Sequence, residues 1–413
     1  MPTGAQNLPR QRPRLGPRPL PAHLTAAATL FATSNAALES LKNGLPIWNP
    51  RAGPGANGQE RVALLAELSA LDLNEFTAVA ALESRHRMNA FLTGVERYRT
   101  STYTRNVPDP PEIWSDGSTR ILDYGGAPGS RPVLLIPSLI NRGYILDLSA
   151  TCSFARWLAA QGLRPFLVDW GAPGPEEGDF GVDQYIARLE RGMDIVSDKN
   201  RVAILGYCMG GLLAMALAVR RQAQTDRLAL LATPWDFHAP DPAQALRLAQ
   251  FADAYETLLA LQGEMPVDVI QMLFFLLDPF LGVRKFTAFG TAEPDTARAD
   301  AFVALEDWLN DGAPLTANVA RTCLRDWYGA NAPARGDWSV GGVAVAPQQF
   351  SKPAYIAVPA NDRIVPPESA LAIACDLPDV TVVQPNLGHI GMMVGGGAQK
   401  TVWEPLAAWL RQA

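Results

Sequence analysis

Chemistry in this chain centres on one cysteine. In Gly206-Tyr207-Cys208-Met209-Gly210 a thiol stands where the nucleophile-elbow motif G-x-S-x-G carries a serine. The apolar run Val202 to Leu205 precedes it as a buried strand, and Leu212 to Val219 follows as a helix-forming segment. That strand–turn–helix setting is what the motif requires, because the turn must present its central side chain while helix and strand pack closely. Thiolate, not thiol, is the attacking species, and a helix N-terminus favours it. The competing reading of the pentapeptide is a buried cysteine in a glycine-rich turn.

A cysteine nucleophile needs a base, and the base needs an orienting partner. The chain has four histidines. His389, in Pro385-Asn-Leu-Gly-His-Ile-Gly391, follows the last expected strand, with Gly388 and Gly391 beside it to let the ring approach the elbow. Asp362, in Ala360-Asn-Asp-Arg-Ile-Val-Pro-Pro367, follows the strand before. The order nucleophile, acid, histidine is that of α/β-hydrolases. His238, in Trp235-Asp-Phe-His-Ala-Pro240, is the rival base, with no acid evident behind it. His86, between Arg85 and Arg87, reads as a surface or packing residue. An oxyanion hole would use the backbone N–H of Met209 and a second from the loop Pro137-Ser-Leu-Ile-Asn-Arg142, with Ile140 the expected donor.

The elements that must hold these residues alternate. Strands are expected at Ile121–Tyr124, Val133–Ile136, Pro165–Val168, Val202–Leu205, Leu228–Leu231, Tyr355–Val358 and Val380–Val383, most of them separated by helical segments. Near-continuous apolar strands of this kind give a mostly parallel sheet covered on both faces. The expected class is therefore α/β, an α/β-hydrolase fold with a helical cap insertion and an N-terminal helical extension. The expected divisions are a basic, proline-rich disordered tail (1–22), an N-terminal helical region (23–115), two core segments (116–236 and 346–413) and a cap (237–345) at the C-terminal sheet edge, where ligands bind. Helices are expected over His23–Lys42, Arg61–Leu71 and Glu75–Leu92, with a linker at Arg51–Gly58.

Composition narrows the classes further. A net charge of −6 over 413 residues argues against a nucleic-acid partner. Cys152, Cys208, Cys323 and Cys375 are far apart, so neither zinc spacing nor a disulfide framework is expected. No signal-peptide core and no apolar run of membrane-spanning length is evident, so the expected compartment is cytoplasmic. No glycine-rich phosphate loop is present, and neither cofactor nor metal is expected.

With these residues in view, the chain from about residue 115 onward resembles the polyhydroxyalkanoate synthases. The markers are Leu139-Ile-Asn-Arg-Gly-Tyr-Ile-Leu-Asp-Leu148, Gly206-Tyr-Cys-Met-Gly-Gly211, Ala232-Thr-Pro-Trp-Asp-Phe237, Asp362-Arg-Ile-Val-Pro-Pro367 and Gly388-His-Ile-Gly391. The ending Val394-Gly-Gly-Gly-Ala-Gln-Lys400 is similar to the short class III and IV enzymes. The resemblance implies polymerisation of (R)-3-hydroxyacyl-CoA thioesters with release of CoA. It makes Cys208 the acyl-bearing nucleophile, His389 the base, and Asp362 its partner or the activator of the incoming hydroxyl. It also implies a growing polyester chain as partner, a polymer-granule surface as location, and a homodimer or a partner subunit. Arg363 departs from the histidine many family members carry after the aspartate, and the N-terminal region is longer than in the short enzymes. Two other readings stay open: a thioesterase, ester hydrolase or depolymerase on the same site, and a non-catalytic granule-associated protein.

Overall fold

The computed structural model describes residues 13–42, 66–67, 70, 72–197, 200–239, 241–293 and 295–412. They form two compact units, one taking the chain to Tyr103 together with Asp278–Val303, the other Thr104–Leu277 with Ala304–Ala413.

Among the described residues, twelve strands, β1 to β12 in chain order, all belong to the second unit. Eight make its central sheet: β1 (Glu112–Asp116), β2 (Thr119–Asp123), β3 (Arg131–Ile136), β4 (Leu163–Asp169), β5 (Val202–Tyr207), β6 (Thr225–Leu231), β11 (Ala354–Ala357) and β12 (Val380–Val383). They lie in the order β1-β2-β4-β3-β5-β6-β11-β12. From β4 to β12 neighbours are parallel, while β1 and β2 run antiparallel at one edge. The remaining four are two-residue strands: β7 (Glu264–Met265) pairs with β8 (Leu315–Thr316), and β9 (Ser339–Val340) with β10 (Val343–Ala344).

Every residue of β5 and of β11 is buried. Their continuous apolar sequence is the pattern of strands covered on both faces. The helix Met209–Arg220 is buried along its length from Met209 to Val219, which suits a segment made of glycine, alanine, leucine, methionine and valine. All seven expected strands are present, most of them one to three residues longer than their apolar cores. β1 was not expected. Its charged, largely exposed sequence Glu-Ile-Trp-Ser-Asp carries little strand signal, and it is held by pairing with β2 at the sheet's edge.

The first unit is mainly helical where it is described. The helix expected at His23 begins at Leu20, and Arg14 donates to the carbonyls of Ser101 and Tyr103, so residues 13–22 are ordered in contrast to the expected tail. The tail before them, the linker at 51–58 and most of the helix expected over 61–71 lie outside the described residues. The helix expected from Glu75 spans Leu73–Arg99, capped by Asp72, whose side chain accepts from the N–H groups of Asn74 and Glu75.

The expected cap, 237–345, is not one body. Asp278–Val303 groups with the N-terminal helices, and the flanking parts group with the sheet. The reason is packing between Leu281–Thr291 and Leu73–Arg99. A Cβ at Gly94 would strike the carbonyl of Phe286 and one at Gly290 the carbonyl of Ala90, so the two helices meet backbone to backbone. Arg97 closes the contact by donating to the carbonyls of Phe289 and Ala292, 2.7 and 3.0 Å away.

Candidate active site

At the end of β5 the chain reverses into the helix Met209–Arg220 through Cys208, whose φ of 57° and ψ of −131° put a non-glycine residue in left-handed territory. Such a conformation costs about 1–3 kcal/mol and persists only where its surroundings impose it. Here they do: the Cys208 N–H donates to Leu231 of β6, and its carbonyl accepts from Gly211, both at 2.9 Å. Close approach explains the two flanking glycines. A Cβ at Gly206 would run into Gly211, and one at Gly210 into the carbonyls of Ile136 and Pro137. The sequence therefore folds into an elbow that fixes Cys208 at a helix N-terminus, with the thiol half-buried.

Asp362 and His389 meet at the ends of the last two parallel strands. Beyond β11 and β12 the loops stay zipped together: Ala360 donates to Pro385, Asn361 to Leu387, and the Asn361 side chain to that of Asn386. This zip carries the pair into register, so that His389 Nδ1 lies 2.7 Å from Asp362 Oδ2. The other carboxylate oxygen, Oδ1, accepts from the N–H groups of Ile364 and Val365 at 2.8 and 2.9 Å. Both side chains are buried, and Asp362 is locked by its own turn. The glycines beside His389 have less to do with this than expected, because a Cβ at Gly391 would meet nothing and one at Gly388 only ordinary contact.

Electrostatics links the three residues. Burial is the largest influence on His389 and by itself would strip its proton. The charge on Cys208, together with hydrogen bonds to Asp362 and Cys208, outweighs it and raises the imidazole's affinity for a proton. His389 thus keeps its proton against burial, with Asp362 as its hydrogen-bonded partner. By contrast, burial pushes the Cys152 thiol up, and burial with the Asp326 charge pushes Cys323 up to about 12.

His238 takes another part. Its Nε2 lies 2.9 Å from the carbonyl of Tyr328, and its backbone N–H donates to Asp236, so the ring braces the loop after β6. Two tyrosines escaped the sequence reading. Tyr207, the residue before the nucleophile, is buried and donates its hydroxyl to the backbone carbonyl of His389 at 3.1 Å. Tyr328 packs edge-on against Phe237, with ring centroids 4.9 Å apart. Its phenol is held neutral chiefly by burial. The elbow's own pentapeptide was the signal for Tyr207; nothing local marked Tyr328.

Met209 opens the elbow helix, and its N–H is one of the first-turn donors that a helix leaves unbonded. The Ile140 N–H is already engaged: it donates to the hydroxyl of Ser138 at 3.1 Å in a tight side-chain turn. Among the described residues, no acceptor is recorded for the N–H of its neighbour Leu139, which is buried between them. Among the described residues, no group of three histidine, cysteine, aspartate or glutamate side chains is placed to hold a metal ion. None of the described helices is long and apolar enough to cross a membrane.

A model of the alpha/beta hydrolase family matches residues 133–395. A poly(3-hydroxyalkanoate) polymerase subunit of Synechocystis is 28% identical over 293 residues, covering 68% of this chain and 78% of the relative. One from Allochromatium vinosum is also 28% identical, over 70% of this chain and 83% of its own. One from Haloferax mediterranei is 26% identical over 73% of this chain and 63% of its own. The chain belongs to the alpha/beta hydrolase family, and within it is similar to the poly(3-hydroxyalkanoate) polymerases.

Proposed function

We propose that the protein is an acyltransferase that polymerises (R)-3-hydroxyacyl-CoA into polyhydroxyalkanoate through an acyl-cysteine at Cys208. The observation that carries this is the Cys208–His389–Asp362 set, with Cys208 in the elbow and His389 hydrogen-bonded to Asp362 at 2.7 Å and electrostatically coupled to Cys208, in a chain similar to poly(3-hydroxyalkanoate) polymerases. Cys208 thiolate attacks the thioester carbonyl of the incoming acyl-CoA. The oxyanion that forms is met by the Met209 N–H and by a second N–H from the loop after β3. Because Ile140 is bonded to Ser138, we assign that second role to Leu139. Collapse expels CoA thiolate, which takes the proton from His389. The neutral imidazole then accepts a proton from the 3-hydroxyl of the next acyl unit or chain end, and that oxygen attacks the acyl-cysteine. An ester forms, and Cys208 leaves as thiolate beside the regenerated imidazolium.

Asp362 holds the imidazole in the tautomer and orientation both transfers need. The reaction uses no cofactor, since the CoA thioester brings its own activation. The relatives are named as polymerase subunits, which supports a partner subunit for this chain as well, and a growing polyester would bring it to a granule surface. The test is to mix the protein with (R)-3-hydroxybutyryl-CoA, quench rapidly and map the adduct by mass. A hydroxybutyryl thioester on Cys208 supports the reading. Turnover with no acyl adduct, or an adduct on another residue, would refute it.

A further inference from the structure

The loop after β3 is built into a frame that the elbow does not supply. At its far end the 3₁₀ turn Gly143–Asp147 is anchored by the fully buried Asp147 carboxylate, which accepts from Arg156, Arg105 and Tyr124. Its near end is held by a strap, Trp308–Ala313, which sequence analysis placed inside the cap. The Ala313 N–H donates to the carbonyl of Ile140 at 3.0 Å. Asn141 and Gly312 form an antiparallel bridge. The Trp308 indole N–H donates to the carbonyl of Arg142 at 2.7 Å, and Trp308 is only 5% exposed. Asp311 lies 3.9 Å from the Arg142 guanidinium. The strap is tied down in turn by Gln271, whose side chain donates to the carbonyl of Leu309 at 3.1 Å. Ile140, the residue after Leu139, thus has its amide held by the Ser138 hydroxyl and its carbonyl held by the strap.

We infer that Trp308 is a positioning residue for acyl transfer: through the strap it sets the carbonyls of the loop after β3, and so aims that loop's free N–H at the oxyanion. This rests on the acyl-cysteine reading above. A preorganised donor works only when aimed at where charge develops, and small misplacements of such groups cost rate rather than binding. A strap in the helical insertion gives that insertion a direct hold on the catalytic loop. Its movement would open or close the oxyanion site without touching Cys208.

Trp308→Phe keeps the ring in place and removes the indole N–H. The readouts are the acylation burst with p-nitrophenyl acetate, which needs an oxyanion site whatever the natural acyl donor, and alkylation by iodoacetamide, which needs the thiolate but no oxyanion site. The burst rate constant should fall about tenfold, with half-saturation changed less than about twofold, while alkylation rate and melting temperature stay near the parent values. Should that variant fail to fold, Gln271→Leu, which frees the strap at Leu309, is read the same way. An unchanged burst overturns the inference, as does a burst that falls in step with alkylation, since the effect would then be general loosening. A parent that shows no burst removes the acyl-cysteine reading, and the role of the strap with it.

Discussion

At the scale of single residues, the thiol and imidazole should behave as a pair. Iodoacetamide should label Cys208 ahead of Cys152 and Cys323, whose thiols burial pushes up. The proton on His389 supports the Cys208 thiolate, so removing the ring withdraws that support. In His389→Ala alkylation of Cys208 at neutral pH should therefore slow. Acyl transfer should drop by on the order of a hundredfold or more. His238→Ala should leave the alkylation profile in place, because His238 bonds the Tyr328 carbonyl. Cys208→Ser is expected to lose chain growth out of proportion to CoA release: an oxyester on serine is a weaker acyl donor to an alcohol than a thioester. Comparing the two yields on one substrate checks it. The pairing of Asp362 with His389 and the elbow at Cys208 were legible in the sequence because each follows a recognisable strand, and strand ends converge on one sheet edge. The engagement of Ile140 could not, since it depends on how Ser138 folds back within its own loop.

At the scale of elements, the edge of the sheet is pinned by charge in the interior. Arg188, on the helix Val182–Ser197, bonds Glu177 at 2.6 Å, and both side chains are 2% exposed. Burial alone would raise the Glu177 carboxyl. The N–H of Ser118, the Arg188 guanidinium and the N–H of Gly174 together outweigh it and hold the carboxyl at about 2. A folded value below the ordinary one of 4.5 means that this group's contribution is fully present above about pH 4.5 and is lost as pH falls toward 2. Arg188→Met should cost about 3–5 kcal/mol at neutral pH, because a buried charge is left uncompensated. That deficit should shrink on acidification through the same window, as urea titrations at a series of pH values would register. The apolar strands declared themselves by composition. β1 did not, since an edge strand with one exposed face needs few apolar residues. Nor could the division of the insertion be seen, because the contacts of Leu281–Thr291 with Leu73–Arg99 join segments nearly two hundred residues apart.

For the whole molecule, on the proposed mechanism, hydrolysis and polymer synthesis differ only in what attacks the acyl-cysteine, water or a 3-hydroxyl. Every residue of the site serves both. The likeness to poly(3-hydroxyalkanoate) polymerases favours the hydroxyl. Incubation of the pure chain with (R)-3-hydroxybutyryl-CoA, alone and with candidate partner subunits, measures both outcomes at once through free CoA and chloroform-soluble polymer. The account predicts one ester unit in polymer for nearly every CoA released, and neither product from Cys208→Ala. CoA released without polymer under every condition, or polymer formed by Cys208→Ala, would contradict it.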